Sequence, residues 1–190
     1  VRAAGEPIKG FGGTASGPAP LQDLHERLNR MFSGRAGETV TTVDVVDIMN
    51  VIGCCVVAGN VRRSAELALG QPDDKDFVLL KDSLAFPERN SFDPEKPGWG
   101  WMSNNSLEAH VGMDYAPYME AVRNNGEPGF IWLDVTRKFG RLIDPADNRD
   151  NRVAGFNPCV EQPLESYELC TLVEAFLNRA ESKEDFKRTL

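Results

Sequence analysis

The run Asn157-Pro158-Cys159-Val160-Glu161 is followed, eleven residues after its cysteine, by Cys170 in Glu168-Leu169-Cys170-Thr171-Leu172. A thiol stands between an amide and a carboxylate, each two residues away. Pro158 excludes an ordinary helix interior and favours an extended path for the residue before it. In an extended segment residues i, i+2 and i+4 point to one side. Asn157, Cys159 and Glu161 are therefore expected to present a hydrogen-bonding group, a thiol and a base to one ligand. Their neighbouring Cα atoms would lie roughly 6.5 Å apart at about 3.3 Å of rise per residue, about the width of a sugar ring. A lone cysteine, by contrast, reads first as a buried packing residue beside a chance acid, because free Cys is among the most buried side chains.

Outward from this run, the chain has the composition of a globular protein. Its 190 residues suffice for one domain with a core, at 41% hydrophobic and 26% charged residues. The net charge of −8 argues against a broad basic face for nucleic acid, although local basic residues can still hold an anionic substrate. No apolar run is long enough to span a membrane, and no secretory signal is recognisable. Four cysteines, at 54, 55, 159 and 170, match neither a disulfide framework nor a zinc pattern. A reducing, cytoplasmic setting is expected. The chain begins at Val1 and stops at Leu190 inside what reads as a helix start, so residues 1–190 read as an internal part of one larger domain, truncated at both ends.

Residues 5–18 form a glycine- and proline-rich loop. Pro18 and Pro20 suit a helix start, and Leu21, Leu24, Leu28, Met31 and Phe32 give helical periodicity to about Ser33. Thr41 or Thr42 can cap a second helix running to about Val57. Strands are predicted over Val61–Leu69, Trp99–Ser106 and Phe130–Leu133. Short helices are predicted over Asp73–Lys81, Tyr115–Asn124, Asp134–Phe139 and from Ser182. A polar loop spans Asp144–Arg152, and an apolar stretch spans Leu169–Leu177. Helices alternating with short apolar strands predict an α/β fold with largely parallel pairing.

The stretch Phe156-Asn157-Pro158-Cys159-Val160-Glu161-Gln162-Pro163-Leu164-Glu165-Ser166-Tyr167-Glu168-Leu169-Cys170-Thr171-Leu172-Val173-Glu174 closely resembles the active-site loop of ribonucleotide reductases. It resembles most the adenosylcobalamin-dependent, monomeric branch that acts on ribonucleoside triphosphates, on the Glu161-Gln162 pair and the Leu164–Cys170 run. The resemblance covers essentially the whole chain but only the middle of the family's catalytic domain. It implies part of a ten-stranded α/β barrel, with the active-site loop at about 150–170 as the finger carried into the barrel centre. It implies that Cys159 is the thiyl site that takes the ribose 3′ hydrogen and later returns it. Glu161 matches the general base on the 3′-hydroxyl, and Asn157 the residue that hydrogen-bonds the ribose hydroxyls and helps position Glu161. Cys170 matches one member of the redox pair that delivers two electrons, its partner expected before Val1. Adenosylcobalamin is the implied cofactor, with no binding residue visible here. A thioredoxin-like dithiol protein is the implied reductant, a deoxynucleotide the implied effector, and a monomeric parent the implied state.

Other motifs admit two readings each. The loop Lys9-Gly10-Phe11-Gly12-Gly13-Thr14-Ala15-Ser16-Gly17 is a structural turn or a phosphate cradle, but it has neither a P-loop ending nor a dinucleotide fingerprint. The resemblance assigns it, through Gly12, Gly13, Thr14 and Ser16, to communication between the effector site and the substrate base. Arg62 and Arg63 on a predicted strand point to opposite faces, open either to an ion pair with Glu66 or to a phosphate. Ser103 and Asn104, in Trp101-Met102-Ser103-Asn104-Asn105-Ser106, are candidates near the nucleotide. Cys54 and Cys55 read as core packing, and His25 and His110 as surface or packing residues. Three alternatives stand beside the reductase reading: the same family with an iron-dependent radical source and a diphosphate substrate, a hydrolase using Cys159 as nucleophile, and a catalytically inert nucleotide-binding module. The hydrolase needs a histidine beside Cys159, and neither His25 nor His110 has such a context.

Overall fold

The computed structural model describes residues 1–10, 12–61, 63–139 and 145–189. Arg62, one of the sequence-derived candidates, lies outside them, as does Phe11 of the glycine-rich loop. The first helix, α1, runs Ala19–Phe32, and α2 runs Thr42–Val57. Thr41 caps α2 by a reciprocal box: its Oγ1 accepts from Asp44 N at 3.2 Å, and Asp44 Oδ2 accepts from Thr41 N at 2.8 Å. Arg35 then grips the same carboxylate with two bonds of 2.7 and 2.8 Å, a charge-assisted fork between the α1–α2 connection and the start of α2. The guanidinium holds the Asp44 carboxyl far below the usual carboxylate range.

Three strands form a parallel sheet in the order β1-β2-β3. They are β1 (Glu66–Gly70), β2 (Ser103–Glu108) and β3 (Gly129–Ile131). Helix α3 (Lys75–Val78) follows β1, α4 (Met119–Asn125) precedes β3, and α5 (Leu133–Phe139) follows it. This is the α/β arrangement with parallel pairing that the sequence predicts. Several boundaries differ: the third strand is Gly129–Ile131, and Leu133, expected to end it, already opens α5. The first strand begins at Glu66 rather than Val61, because its partner β2 begins only at Ser103. Residues 100–102 are a 3-10 turn rather than strand, bent there because both Trp99 N and Gly100 N donate to Arg89 O at 3.0 and 2.9 Å.

Alternation gives the sheet two different faces. On one, Ala68, Leu107 and Phe130 pack with Val46 of α2 and with Phe77 and Leu80. On the other, Leu67, Leu69 and Ile131 pack with Leu133, Val153 and Phe156. Phe156 belongs to a small antiparallel hairpin, β4 (Gly155–Phe156) with β5 (Pro163–Leu164). Helices α2 and α3 thus cover one face, and the cysteine-bearing hairpin sits on the other beside the start of α5. Beyond the hairpin, 165–176 holds no named strand or helix, and a final helix, α6 (Lys183–Thr189), is capped by Ser182 Oγ accepting from Asp185 N at 3.0 Å. No helix among the described residues is long and apolar enough to cross a membrane.

The central strand is polar. Ser103 and Asn105 are both 2% exposed, and on the helical side Asn50 Nδ2 donates to Ser103 Oγ at 3.1 Å, which in turn donates to Asn105 Oδ1 at 2.8 Å. Lys81 Nζ, which burial pushes below its usual range, donates to Gly100 O and Ser103 O, each at 2.6 Å. Its ion-pair partner Glu127, at 3.5 Å, also accepts from Asn105 N at 3.0 Å. Removing one hydroxyl from this seam strands two buried amides, a loss of about 1–3 kcal/mol. Ser103→Ala is therefore expected to lower the chemical-denaturation midpoint with little change in the slope of the transition.

Candidate active site

The hairpin is closed by its own first residue. Asn157 N donates to Gln162 O at 3.1 Å, and Asn157 Oδ1 accepts from Gln162 N at 2.9 Å. Inside this ring Val160 N donates to Asn157 O at 2.9 Å, a β-turn with Pro158 at its second position, where the fixed φ of proline is favoured. Val160 takes a left-handed φ of 68°, a costly conformation for a β-branched residue that the surrounding bonds hold in place. This corrects the extended path expected for 157–161. Asn157 stays buried at the base, 5% exposed, while Cys159 and Glu161 lie exposed at the tip.

Three contacts seat the hairpin on the sheet. Phe156 packs on Leu67 and Leu69. Arg137 Nε of α5 donates to Val153 O at 2.8 Å. Asn104 Nδ2 donates to Pro158 O at 3.0 Å, so β2 grips the residue immediately before Cys159. A cavity of about 390 Å³ lies between the hairpin at Phe156 and Pro158, strand β1, and Val45 and Met49 of α2.

Cys170 returns to the same corner. Its sulfur lies 3.5 Å from Asn157 Nδ2, which donates to it, and 3.7 Å from Gln162 Oε1, which accepts from it. Asn157 and Cys170, thirteen residues apart in sequence, are thus brought together. Gln162 has no assigned role in the sequence reading. Its signal lay in register: it faces Asn157 across the turn.

The remaining candidates divide. Gly12 and Gly13 adopt φ of 75° and 77°, open to glycine and closed to most residues. They turn a short hairpin bridged at Pro7 and Thr14. The Gly12 N–H is engaged by Ile8 O at 3.0 Å, so it is not presented to a phosphate. Thr14 and Ser16, with Gly59, Val61 and Arg2, line a cavity of about 560 Å³. A Cβ on Gly13 would stand 3.1 Å from the Val61 side chain, so this loop rests directly on the Gly59–Val61 turn. Arg63 is exposed and lies outside the strand on which it was expected, its Nη1 donating to Asn60 Oδ1 at 3.4 Å. Ser103 also moves, from nucleotide contact to core, since its hydroxyl is engaged in the buried seam. Asn104 is exposed and bears on the site by holding the hairpin.

Burial pushes the Cys54 thiol up to about 11. At about pH 8 only about one part in a thousand of such a thiol is the reactive thiolate. Limited alkylation at that pH followed by peptide mapping is expected to label the exposed Cys159 well before Cys54, with Cys54 labelling rising steeply as the pH approaches 11.

No family model matches the chain, and no solved structure matches it. Curated relatives do. The adenosylcobalamin-dependent ribonucleoside-triphosphate reductase of Euglena gracilis is 50% identical over 190 residues, all of this chain and 25% of the relative. That of Lactobacillus acidophilus is 44% identical over 186 residues, 96% of this chain and 24% of the relative. That of Lactobacillus leichmannii is 44% identical over 179 residues, 93% of this chain and 23% of the relative. The chain spans about a quarter of the length of the curated relatives it matches.

Proposed function

We propose that this chain carries the radical-chemistry hairpin of an adenosylcobalamin-dependent ribonucleoside-triphosphate reductase. It forms an internal part of that enzyme's catalytic barrel domain. The observation that carries the reading is the shared corner: one buried asparagine closes the turn that projects Cys159 and also touches the sulfur of Cys170. Two thiols of different duty are thereby referred to a single amide. Similarity over nearly all of this chain to about a quarter of the length of reductases of this name supports the assignment. In this reading the three-stranded sheet is a piece of the ten-stranded barrel, the face that carries the hairpin turned inward, and the hairpin is the finger loop. The parallel pairing of the three strands and the hairpin packed on one sheet face support that placement.

The reaction exchanges a 2′-hydroxyl for hydrogen. A thiyl at Cys159 takes the 3′ hydrogen of the ribose, becoming a thiol and leaving a carbon radical. Glu161 accepts the 3′-hydroxyl proton as the 2′-oxygen, protonated by the dithiol, departs as water, and it gives that proton back to the 3′ oxygen when the dithiol's second electron reduces the ketone. Cys170 and its partner thiol supply two electrons and two protons and become a disulfide. Cys159 then returns its hydrogen to the 3′ carbon. A ribonucleotide and a dithiol become a deoxyribonucleotide, a disulfide and water. Asn157 holds the ribose hydroxyls and the loop. When bound, adenosylcobalamin supplies the radical start through its weak cobalt–carbon bond. Cys159, at the hairpin tip, would be the residue of this chain that receives the radical. A thioredoxin-like dithiol protein regenerates the thiols, a deoxynucleotide tunes substrate choice near the glycine-rich loop, and the parent acts as a cytoplasmic monomer.

The test is deoxynucleotide formation from ribonucleoside triphosphates by the protein carrying this chain, with thioredoxin as reductant, with and without adenosylcobalamin. Activity that requires the cobalamin and falls to background in Cys159→Ser is expected. Glu161→Gln is expected to reduce turnover by on the order of 10²–10⁴ while substrate binding persists. Activity retained by Cys159→Ser would overturn the mechanism. Activity without cobalamin would move the radical source elsewhere.

A further inference from the structure

Cys170 has an unusual address. The chain leaves β5 at Leu164, turns through Glu165–Glu168 with Tyr167 at a left-handed φ of 68°, and reaches Cys170 without regular structure. Its neighbours do not anchor it, since Leu169 is 84% exposed and Leu172 82% exposed. Among the described residues, two side chains hydrogen-bond the thiol, Asn157 and Gln162.

The orientation of both amides follows from their partners. The Asn157 amide oxygen is committed to the Gln162 N–H, a backbone donor that admits no exchange of oxygen and nitrogen. Asn157 Nδ2 must then face the sulfur and donate to it. A thiol has one proton and weak acceptor capacity. With a lone pair engaged by Asn157, its remaining need is an acceptor for S–H. Gln162 Oε1, at 3.7 Å, provides it. Residue 162 is thus tied to this corner three times, through N–H, C=O and side chain.

We propose that Gln162 is a positioning residue that latches the Cys170 thiol against the active-site hairpin, and that the latch holds only while the sulfur keeps its proton. A thiolate or disulfide sulfur has no S–H to give, so Gln162 distinguishes the reduced thiol from its other states. The proposal rests on the reading of Cys170 as the reducing thiol for its consequence in turnover, but the latch itself can be observed without turnover.

The experiment records the S–H stretching band by Raman difference spectroscopy on the reduced protein carrying this chain. The Cys170 band is assigned by subtracting the spectrum of Cys170→Ser. Gln162→Leu, which keeps bulk and loses the acceptor, is expected to shift the band to higher frequency. Gln162→Glu, which keeps an acceptor at the same reach, is expected to hold it low. Dithiol-dependent turnover should fall roughly tenfold in Gln162→Leu, of the order of one lost hydrogen bond, and recover in Gln162→Glu. Circular dichroism identifies a variant that does not fold; Gln162→Met then replaces Gln162→Leu with the same expectation. A band unmoved by loss of the acceptor, or moved equally by both substitutions, overturns the latch. Turnover that survives Cys159→Ser overturns the reductase reading instead and leaves the band assignment standing, so the two failures are separable.

Discussion

Burying Ser103, Asn105 and Ser106 in the central strand of a parallel sheet is the constraint on which the remaining structure turns. A buried strand of such a sheet is ordinarily a run of Val, Ile and Leu. Here most side chains carry groups that must find partners or cost about 1–3 kcal/mol each. Ser103 and Asn105 point toward the helices, where Asn50 meets the Ser103 hydroxyl, while Lys81 and Glu127 bond the backbone of Ser103 and Asn105. The requirement fixes which face of α2 turns inward. Gly53 on that face leaves no room for a Cβ beside Met102 and Glu66, so the helix lies close against the strand.

The same strand works in both directions. Asn104, between the two inward residues, points to the opposite face and holds Pro158 O. A polar central strand thereby couples the helical core to the hairpin that presents Cys159. Ser106 also faces that side, and Gly129 on β3 leaves its hydroxyl space, since a Cβ there would stand 2.7 Å from Ser106 Oγ. An all-apolar strand would stabilise the sheet as well or better, yet it would offer the hairpin no directional contact. Directionality is what a site requiring a thiol at a fixed place has to obtain from its scaffold.

Much of this was legible in the sequence. The α1 periodicity through Leu24, Leu28 and Phe32 and the Thr41 cap of α2 are local signals, and local signals survive tertiary packing. The α/β class with parallel pairing followed from alternation of element types. The first strand was set too early because a strand begins where its partner does, and nothing within 61–65 shows that β2 waits until Ser103. The path of 157–161 was misjudged for a related reason. Proline and alternation both suit an extended segment, and the bond that closes the turn comes from a side chain to a backbone N–H five residues on. No periodicity encodes that. The identities of the chemical residues came from resemblance of the Phe156–Glu174 run, whereas Gln162 emerged only from geometry.

The arrangement of Asn157 explains why one small hairpin suffices for two thiols. A turn that closed through backbone bonds alone would project Cys159 but leave Cys170 unplaced, because the segment carrying it buries little apolar surface. A side-chain closure has a second end to offer. The Asn157 oxygen completes the turn, and its nitrogen, oriented by that commitment, reaches the returning chain. Glutamine at this position would shift the amide by a methylene and break the ring; aspartate would keep the oxygen but lose the donor. The asparagine amide carries its acceptor and its donor on separate atoms, so each serves a different segment, and its burial keeps water from competing for either bond.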